Sequence, residues 1–314
     1  VAGAGMYGDC SLAATLSYGA VLEPYLHPKP GGVTPYVSEG GKSFGDFVLH
    51  ASLSSRLLAW ACLKAWKEGP MGVIASVKER YLREVASRFK GNIAYGTFML
   101  MAPLAVAIAL SKSSEPEGLV TTARDTIYCC TGRRESLLHY KILRRLYPSH
   151  LGRYRGRLPD VASGDERDIP PYPLLLKLNS WDMVHRELAE GYPITLEAYR
   201  HSLNRVKEGR SVEEALLEAL LKVLAEHGDT LIFQKHGGRA FKIAREEARA
   251  AFRVSEMWGV RNAITWLERL WRGREWNPGA ALDIIAAASG LLLITISQAG
   301  MDALPGERYR DAIS

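Results

Sequence analysis

Apolar positions recur at helical spacing along nearly the whole chain. In "SVEEALLEALLKVLAEH" (211–227), Val212, Leu216, Leu220, Val223 and Leu224 follow a 3.6-residue period. Ser211 and Glu214 give its start a capping-box pattern. The segment "NPGAALDIIAAASGLLLITIS" (277–297) predicts another helix, with Asn277 as N-cap and Pro278 at the first helical position. Threonines open "TTARDTIYCC" (121–130) and "TLEAYRHSLNRV" (195–206), and 44–66 reads as one long helix. No run of alternating β-branched residues is long enough for a central strand. The pattern predicts an all-α fold: a single large multi-helix globular domain over 1–314. Irregular stretches fall at 25–43, 111–118, 147–173 and 234–239, and the longest, 147–173, is expected to cross one face.

Two segments are apolar throughout, 98–110 and 284–297. Both fall short of the ~20 residues that span a bilayer. They read as buried core helices, and no membrane partner is expected.

Composition sharpens this picture only a little. The chain is 47% hydrophobic and 24% charged, as ordinary globular proteins are. Its 40 Lys+Arg against 34 Asp+Glu leave +6, compatible with an anionic ligand. Cys10, Cys62, Cys129 and Cys130 show no CxxC spacing, so no zinc or thioredoxin-type motif is indicated. A reduced, cytoplasmic setting is expected. The many arginines and ion-pair-rich helices would suit a thermophile.

Four punctuated stretches could carry chemistry. In "YLHPKPGG" (25–32), Pro28 and Pro30 hold Lys29 on a stiff extended segment, and Gly31 and Gly32 then free the backbone. That suits a cationic loop gripping an anion, or simply a rigid connector. In "FKGNIAYGTFMLMAPLA" (89–105), Gly91, Asn92 and Gly96 precede an apolar helix, whose N-terminal N–H groups could face an anion or be capped by Asn92. "EHGDTLIFQKHGG" (226–238) gathers Asp229, Thr230, Lys235 and His236. Asp229 and Thr230 could ligate Mg²⁺ while Lys235 and His236 face phosphate, or Asp229 could be an N-cap. In "WNPGAALDII" (276–285), Asp283 is charged within an apolar helix, so it must meet a cation, a metal or hydrogen-bond donors. A basic run also lies between Arg133 and Arg157, interleaved with Tyr140, Tyr147 and Tyr154. It reads as a solvated face, a polyphosphate site or a nucleic-acid surface, but no nucleic-acid module is recognised.

Taken in order, these stretches resemble the triphosphoribosyl-dephospho-coenzyme A synthase family, in its archaeal type. The resemblance rests on "CSLAATLSYGA" (10–20), "PKPGGV" (28–33), "FGDFVLHAS" (44–52), "GNIAYGTFMLMAPLA" (91–105), "LPDV" (158–161), "WDMVHREL" (181–188), "EHGDTLIFQKHG" (226–237) and "NPGAALDIIAAA" (277–288). Departures stand beside it. The family's "GVNT" is "GNIA" at 91–94, its Arg-Gly or Arg-Lys after Asp-Thr is replaced by "QKHG", and 38–47 reads "SEGGKSFGDF".

The resemblance implies an all-α enzyme in which the 2′-hydroxyl of dephospho-CoA attacks C1′ of the ATP ribose and expels adenine. Such chemistry calls for a carboxylate near an oxocarbenium-like C1′, a base, an acid and cations for the triphosphate. The matching residues imply that Lys29, Gly31, Gly32, Lys235 and His236 hold phosphates, with Asn92, Gly96, Thr230 and Asn277 also binding nucleotide. Asp229 and Asp283 would bind Mg²⁺ or face C1′. Asp182 is a further carboxylate candidate, with His185 three residues on as its partner. ATP and dephospho-CoA are the expected partners, with room for a homo-oligomer. A different acceptor in another cofactor pathway, or a non-enzymatic nucleic-acid binder, are the alternative readings.

Overall fold

The computed structural model describes residues 10–111, 113–146, 157–164 and 166–300. Along these, the chain forms α1 (Ser11–Ser17), α2 (Gly19–Tyr25), α3 (Phe44–Glu68), α4 (Val73–Glu84), α5 (Tyr95–Leu110), α6 (Pro116–Cys130) and α7 (Arg133–Leu146). There follow α8 (Tyr172–Leu178), α9 (Met183–Glu190), α10 (Pro193–Lys207), α11 (Val212–His227), α12 (Thr230–Trp258), α13 (Val260–Arg272) and α14 (Gly279–Ala299). No strand occurs among the described residues; Thr34–Val37 and Glu39–Lys42 make two isolated antiparallel bridges. The fold is all-α, and one hydrophobic core draws on helices from α1 to α14.

Two helices, α5 and α14, form the centre, because their sequences are apolar on every side. Around them, amphipathic helices turn one face inward; α13 buries Ala263, Ile264, Leu267 and Trp271 and leaves its arginines outside. Where α1 and α2 cross α14 the backbones almost touch: a Cβ on Gly19 would lie 2.6 Å from the Gly290 nitrogen. Only glycines permit that crossing.

Helix boundaries differ from the sequence expectation where proline decides. The helices predicted at Thr121 and Thr195 begin earlier, at Pro116 and Pro193, since proline suits the first turn and lacks an N–H that would go unpaired. Likewise Pro278, not Asn277, occupies the N-cap position of α14, and Asn277 makes no capping bond. Helix α14 has about the expected length, shifted two residues toward the C-terminus, and contains the apolar 284–297 segment. Its 21 residues are long and apolar enough to cross a membrane, but 78% of its most apolar window is buried inside the fold.

The stretch 234–239 lies inside α12 rather than in a loop; only Gly237, at φ 79 and ψ 176, leaves helical geometry. Of the 147–173 loop, 147–156 fall outside the described residues. Its later part is tied down by Arg133, which donates to the carbonyls of Glu166, Arg167 and Ile169. The expectation of reduced cysteines is overturned. Cys10 is disulfide-bonded to Cys62, pinning α1 to α3, and Cys129 is bonded to Cys130. The spacing argument missed this because the first pair meets only through helix packing.

Candidate functional site

A cavity of about 520 Å³ opens between α5, α7, α9, α12 and α14, with the 32–42 segment along one side. Ligand pockets usually fall in this size range. Of the sequence-predicted residues, Gly32, Asn92, Gly96, Asp182, His185, Asn277 and Asp283 line it. Lys29, Gly31, Asp229, Thr230, Lys235 and His236 do not.

Asp283 projects from α14 onto the N-terminus of α5. Its Oδ1 accepts hydrogen bonds from the Thr97 backbone N–H at 2.9 Å and the Thr97 hydroxyl at 2.6 Å. A helix N-terminus favours negative charge, so α5 holds an anion there, and the anion is the protein's own carboxylate. Gly96 makes the space, because a Cβ at 96 would overlap Asp283 Oδ2. Burial pushes Asp283 up to about 7 against the Thr97 hydrogen bonds, and the charges of Glu23 and Asp182 push the same way. The carboxylate is thus poised to change charge near neutrality. Ala94 is the N-cap residue of α5, and Asn92, two residues before it, accepts the first helical N–H, that of Tyr95, at 2.9 Å.

Four side chains that line the cavity form one hydrogen-bonded row. Asp182 caps α9 through the His185 N–H and also bonds His185 Nδ1 at 2.7 Å. His185 Nε2 faces His139 Nε2 at 3.3 Å, and His139 Nδ1 meets the Tyr95 hydroxyl at 3.0 Å. A carboxylate only accepts, so His185 carries a proton on Nδ1. With both rings neutral, His185 Nε2 accepts, His139 donates from Nε2, and His139 Nδ1 accepts from Tyr95. Every donor then has one acceptor, and the row is a directed proton path from Tyr95 to Asp182. Burial, Lys78 and His185 hold His139 well below the usual histidine range. Burial works to raise Asp182, but its hydrogen bonds to His185 and Thr230 and its electrostatic interaction with His185 hold it below its usual value.

Other predicted residues are engaged elsewhere. Asp229 is the N-cap of α12, its Oδ1 accepting from the Ile232 N–H at 2.9 Å. Its Oδ2 accepts from the Ala281 N–H, in the first turn of α14, at 2.8 Å. One buried carboxylate therefore caps two helices. Burial raises it to about 6 despite these hydrogen bonds. Thr230 accepts from the Met183 N–H and donates to Asp182. It supports the Asp182 carboxylate from behind.

Lys29 is not held out to solvent. It is 1% exposed, with Nζ donating to the Glu23 carboxylate at 2.5 Å and the Glu23 carbonyl at 3.1 Å. The stiff proline loop, whose His27–Pro28 peptide is cis, points the lysine inward. Gly31 and Gly32 have positive φ, and they let the loop pack on the start of α14: a Cβ on Gly31 would meet Pro278, and one on Gly32 would meet Leu282. Lys235 and His236 are exposed, on the turn before Gly237.

Sequence reasoning missed Lys42, His139, Tyr95 and Glu23, all of which line the cavity. Lys42 sits within "SEGGKSFGDF", read only as a departure from the family pattern. Burial and the neighbouring Lys235 charge push Lys42 down, while Glu39 and Asp283 push it up. The signal for His139 was a lone histidine among the apolar positions of α7, where the helix is otherwise strongly amphipathic.

The basic run does not form a bare cationic face. Arg134 pairs with Glu79, Arg144 with Glu166, and Arg145 donates to the Ser87 carbonyl. Arg153 and Arg155 lie outside the described residues. Away from the cavity, Glu197, Glu226 and His227 bring ligand atoms within 4.8 Å of one another, but Lys222 already bonds both glutamates.

Comparison with known proteins bears on this site. The model of the CitG family, ATP:dephospho-CoA triphosphoribosyl transferase, matches residues 10–300. The fold is similar to that of a crystal structure from Archaeoglobus fulgidus, provisionally described as a triphosphoribosyl-dephospho-coA synthase. The TM-score is 0.56 at 18% identity, covering 77% of this chain and 97% of that one. A search of curated proteins gives no match.

Proposed function

The chain belongs to the CitG family, the ATP:dephospho-CoA triphosphoribosyl transferases, and from that premise we propose how its cavity carries the transfer. The observation that supports the reading best is the convergence of Asp283, the Asp182–His185 pair and Lys42 on one cavity. In the reaction, the 2′-oxygen of dephospho-CoA forms a bond to C1′ of the ATP ribose as the bond from C1′ to adenine breaks. The hydroxyl proton must leave and the departing adenine must be neutralised. Positive charge grows on C1′ in between.

Asp283 faces that charge. In its ionised form it stabilises an oxocarbenium-like centre, and its bonds to Thr97 fix it without reorganisation. The row from Tyr95 to Asp182 takes up and returns the proton. A proton arriving at His185 is held by Asp182, and His139 stays neutral. The charges of Lys42, on the cavity wall, and Lys235, outside its lining, oppose each other, so an anion such as a triphosphate between them would be favoured by both.

The donor set also fits Mg²⁺, since hard carboxylate oxygens crowd one wall. Asp283 would hold it, whereas both oxygens of Asp229 already accept N–H groups and Glu23 is already paired with Lys29. Bound there, the ion would neutralise triphosphate charge. ATP and dephospho-CoA are cytoplasmic metabolites, which supports a cytoplasmic location. Internal disulfides in such a location are typical of hyperthermophiles.

The test is incubation with ATP, Mg²⁺ and dephospho-CoA, followed by measurement of free adenine. Adenine release is expected, and Asp283→Asn and His185→Asn should each lower kcat about a hundredfold or more. No adenine under any reasonable condition would overturn the reading.

A further inference from the structure

The cavity has one wall that none of these roles uses. Trp181, just before α9, and Phe233, in the first turn of α12, both line it. Their ring centroids are 6.1 Å apart with planes tilted by 60°. Each residue is 44% exposed, although both sit on rigid helix ends in a well-packed fold. Phe233 is braced from behind by Phe241, edge to face at 6.1 Å. The two rings therefore make a fixed corner, open toward the cavity. A flat ring entering it stacks on one face and meets the edge of the other.

Gln234 adjoins this corner and also lines the cavity. Its Nε2 makes a long contact of 3.5 Å to Asp182 Oδ2, and its Oε1 is buried without a hydrogen-bond partner. Leaving a buried acceptor unpaired is costly, so such an atom signals a missing donor. A side-chain amide offers one acceptor beside one donor. That pair matches the 6-amino group and N7 of adenine, the pairing by which glutamine reads adenine elsewhere.

We infer that Trp181, Phe233 and Gln234 form the subsite for the adenine of ATP, the rings stacking on the base and the Gln234 amide reading its 6-amino group and N7. The inference rests on the reading of the cavity as the transfer site. ATP is assigned rather than dephospho-CoA because Gln234 touches Asp182, which pairs with His185. The base in this corner thus lies next to the proton-handling row, as a leaving group must. A 6-oxo base such as hypoxanthine presents two acceptors on the same edge, and the amide cannot satisfy both.

Calorimetric titration of the whole protein with ATP and with inosine triphosphate, both with Mg²⁺, tests this without requiring turnover. The protein should bind ATP about tenfold or more tightly over inosine triphosphate. Gln234→Met should bring the ratio close to one, and Gln234→Leu, which likewise lacks both the donor and the acceptor, should do the same if the methionine variant folds poorly. Phe233→Leu should weaken both nucleotides about tenfold and leave the ratio intact. An unchanged ratio in both Gln234 variants overturns the assignment, as does a loss of dephospho-CoA affinity with ATP binding untouched. If the ratios behave as stated but no adenine is released with dephospho-CoA, the subsite stands and only the transfer reading fails.

Discussion

Gly96 lacks a side chain where Asp283 stands: the Asp283 Oδ2 occupies the position a Cβ at 96 would need. The two are 187 positions apart in sequence, on α5 and α14, and the bonds to Thr97 hold them together. Gly96→Ala should therefore act on the carboxylate. Driving Asp283 off Thr97 loses charged hydrogen bonds worth about 2 kcal/mol, read in urea unfolding. It should also lower kcat as severely as Asp283→Asn. A Gly96→Ala enzyme with full kcat would remove Asp283 from the reaction.

Asp283 also links stability and activity to pH with opposite signs. Its folded pKa of about 7 lies above the ordinary 3.8, so folding favours the protonated form. Stability from that proton is fully present below about pH 4 and is lost as pH rises through 7. Asp283→Asn has no proton to lose, so it should gain stability relative to the parent over that window. Activity should run the other way, rising as the carboxylate ionises. Urea midpoints and kcat from pH 4 to 8 check both; parallel curves for parent and variant would refute the linkage.

Asp229→Ala should be a folding defect. It leaves the first turns of α12 and α14 without their shared cap, at about 1 to 2 kcal/mol for each helix end. Thermal unfolding should shift well before kcat of the remaining folded protein changes. A stable but inactive variant would restore the metal role that the sequence suggested.

Lys29 and Lys42 should separate cleanly. Lys29→Met leaves the Glu23 carboxylate buried without its cation, a loss of about 3 to 5 kcal/mol. Lys42→Ala should leave unfolding nearly unchanged and raise KM for ATP severalfold. The reverse pattern would return the phosphate to Lys29.

The disulfide between Cys10 and Cys62 closes a loop of 52 residues. Chain entropy assigns such a closure about 4 kcal/mol. Cys62→Ser, or a reducing agent, should lower Tm by several degrees, and equal Tm values in both redox states would show the bond to be idle.

How far the sequence reached depends on what kind of signal each feature leaves. Helical periodicity is local, so the all-α fold and the long helices over 44–66 and 211–227 were legible. Ser211 does cap α11, as its spacing indicated. Motif order pointed to the family and to seven of the cavity residues, Asp283 and the Asp182–His185 pair among them. Side-chain direction was not legible. Two prolines say that Lys29 is held rigidly, but not that it points at Glu23, because that depends on how α2 packs beneath the loop. His139 and Lys42 enter the site only through tertiary contact, and so does the Cys10–Cys62 pair. Asp229 shows the limit best: an N-cap and a metal ligand share one sequence pattern, and only the Ala281 N–H tells them apart.

The double duty of Asp229 has a geometric consequence. Its two oxygens rivet the start of α12, which carries Phe233 and Gln234, to the start of α14, which carries Asp283. The wall that would grip a base and the carboxylate that would face a sugar are thereby fixed at a set separation, like the two jaws of a gauge. A base and its sugar are joined by a single bond, so the distance between their partners admits little tolerance. The residue that looked most like a reactant in the sequence instead sets the spacing at which the reactants must fit.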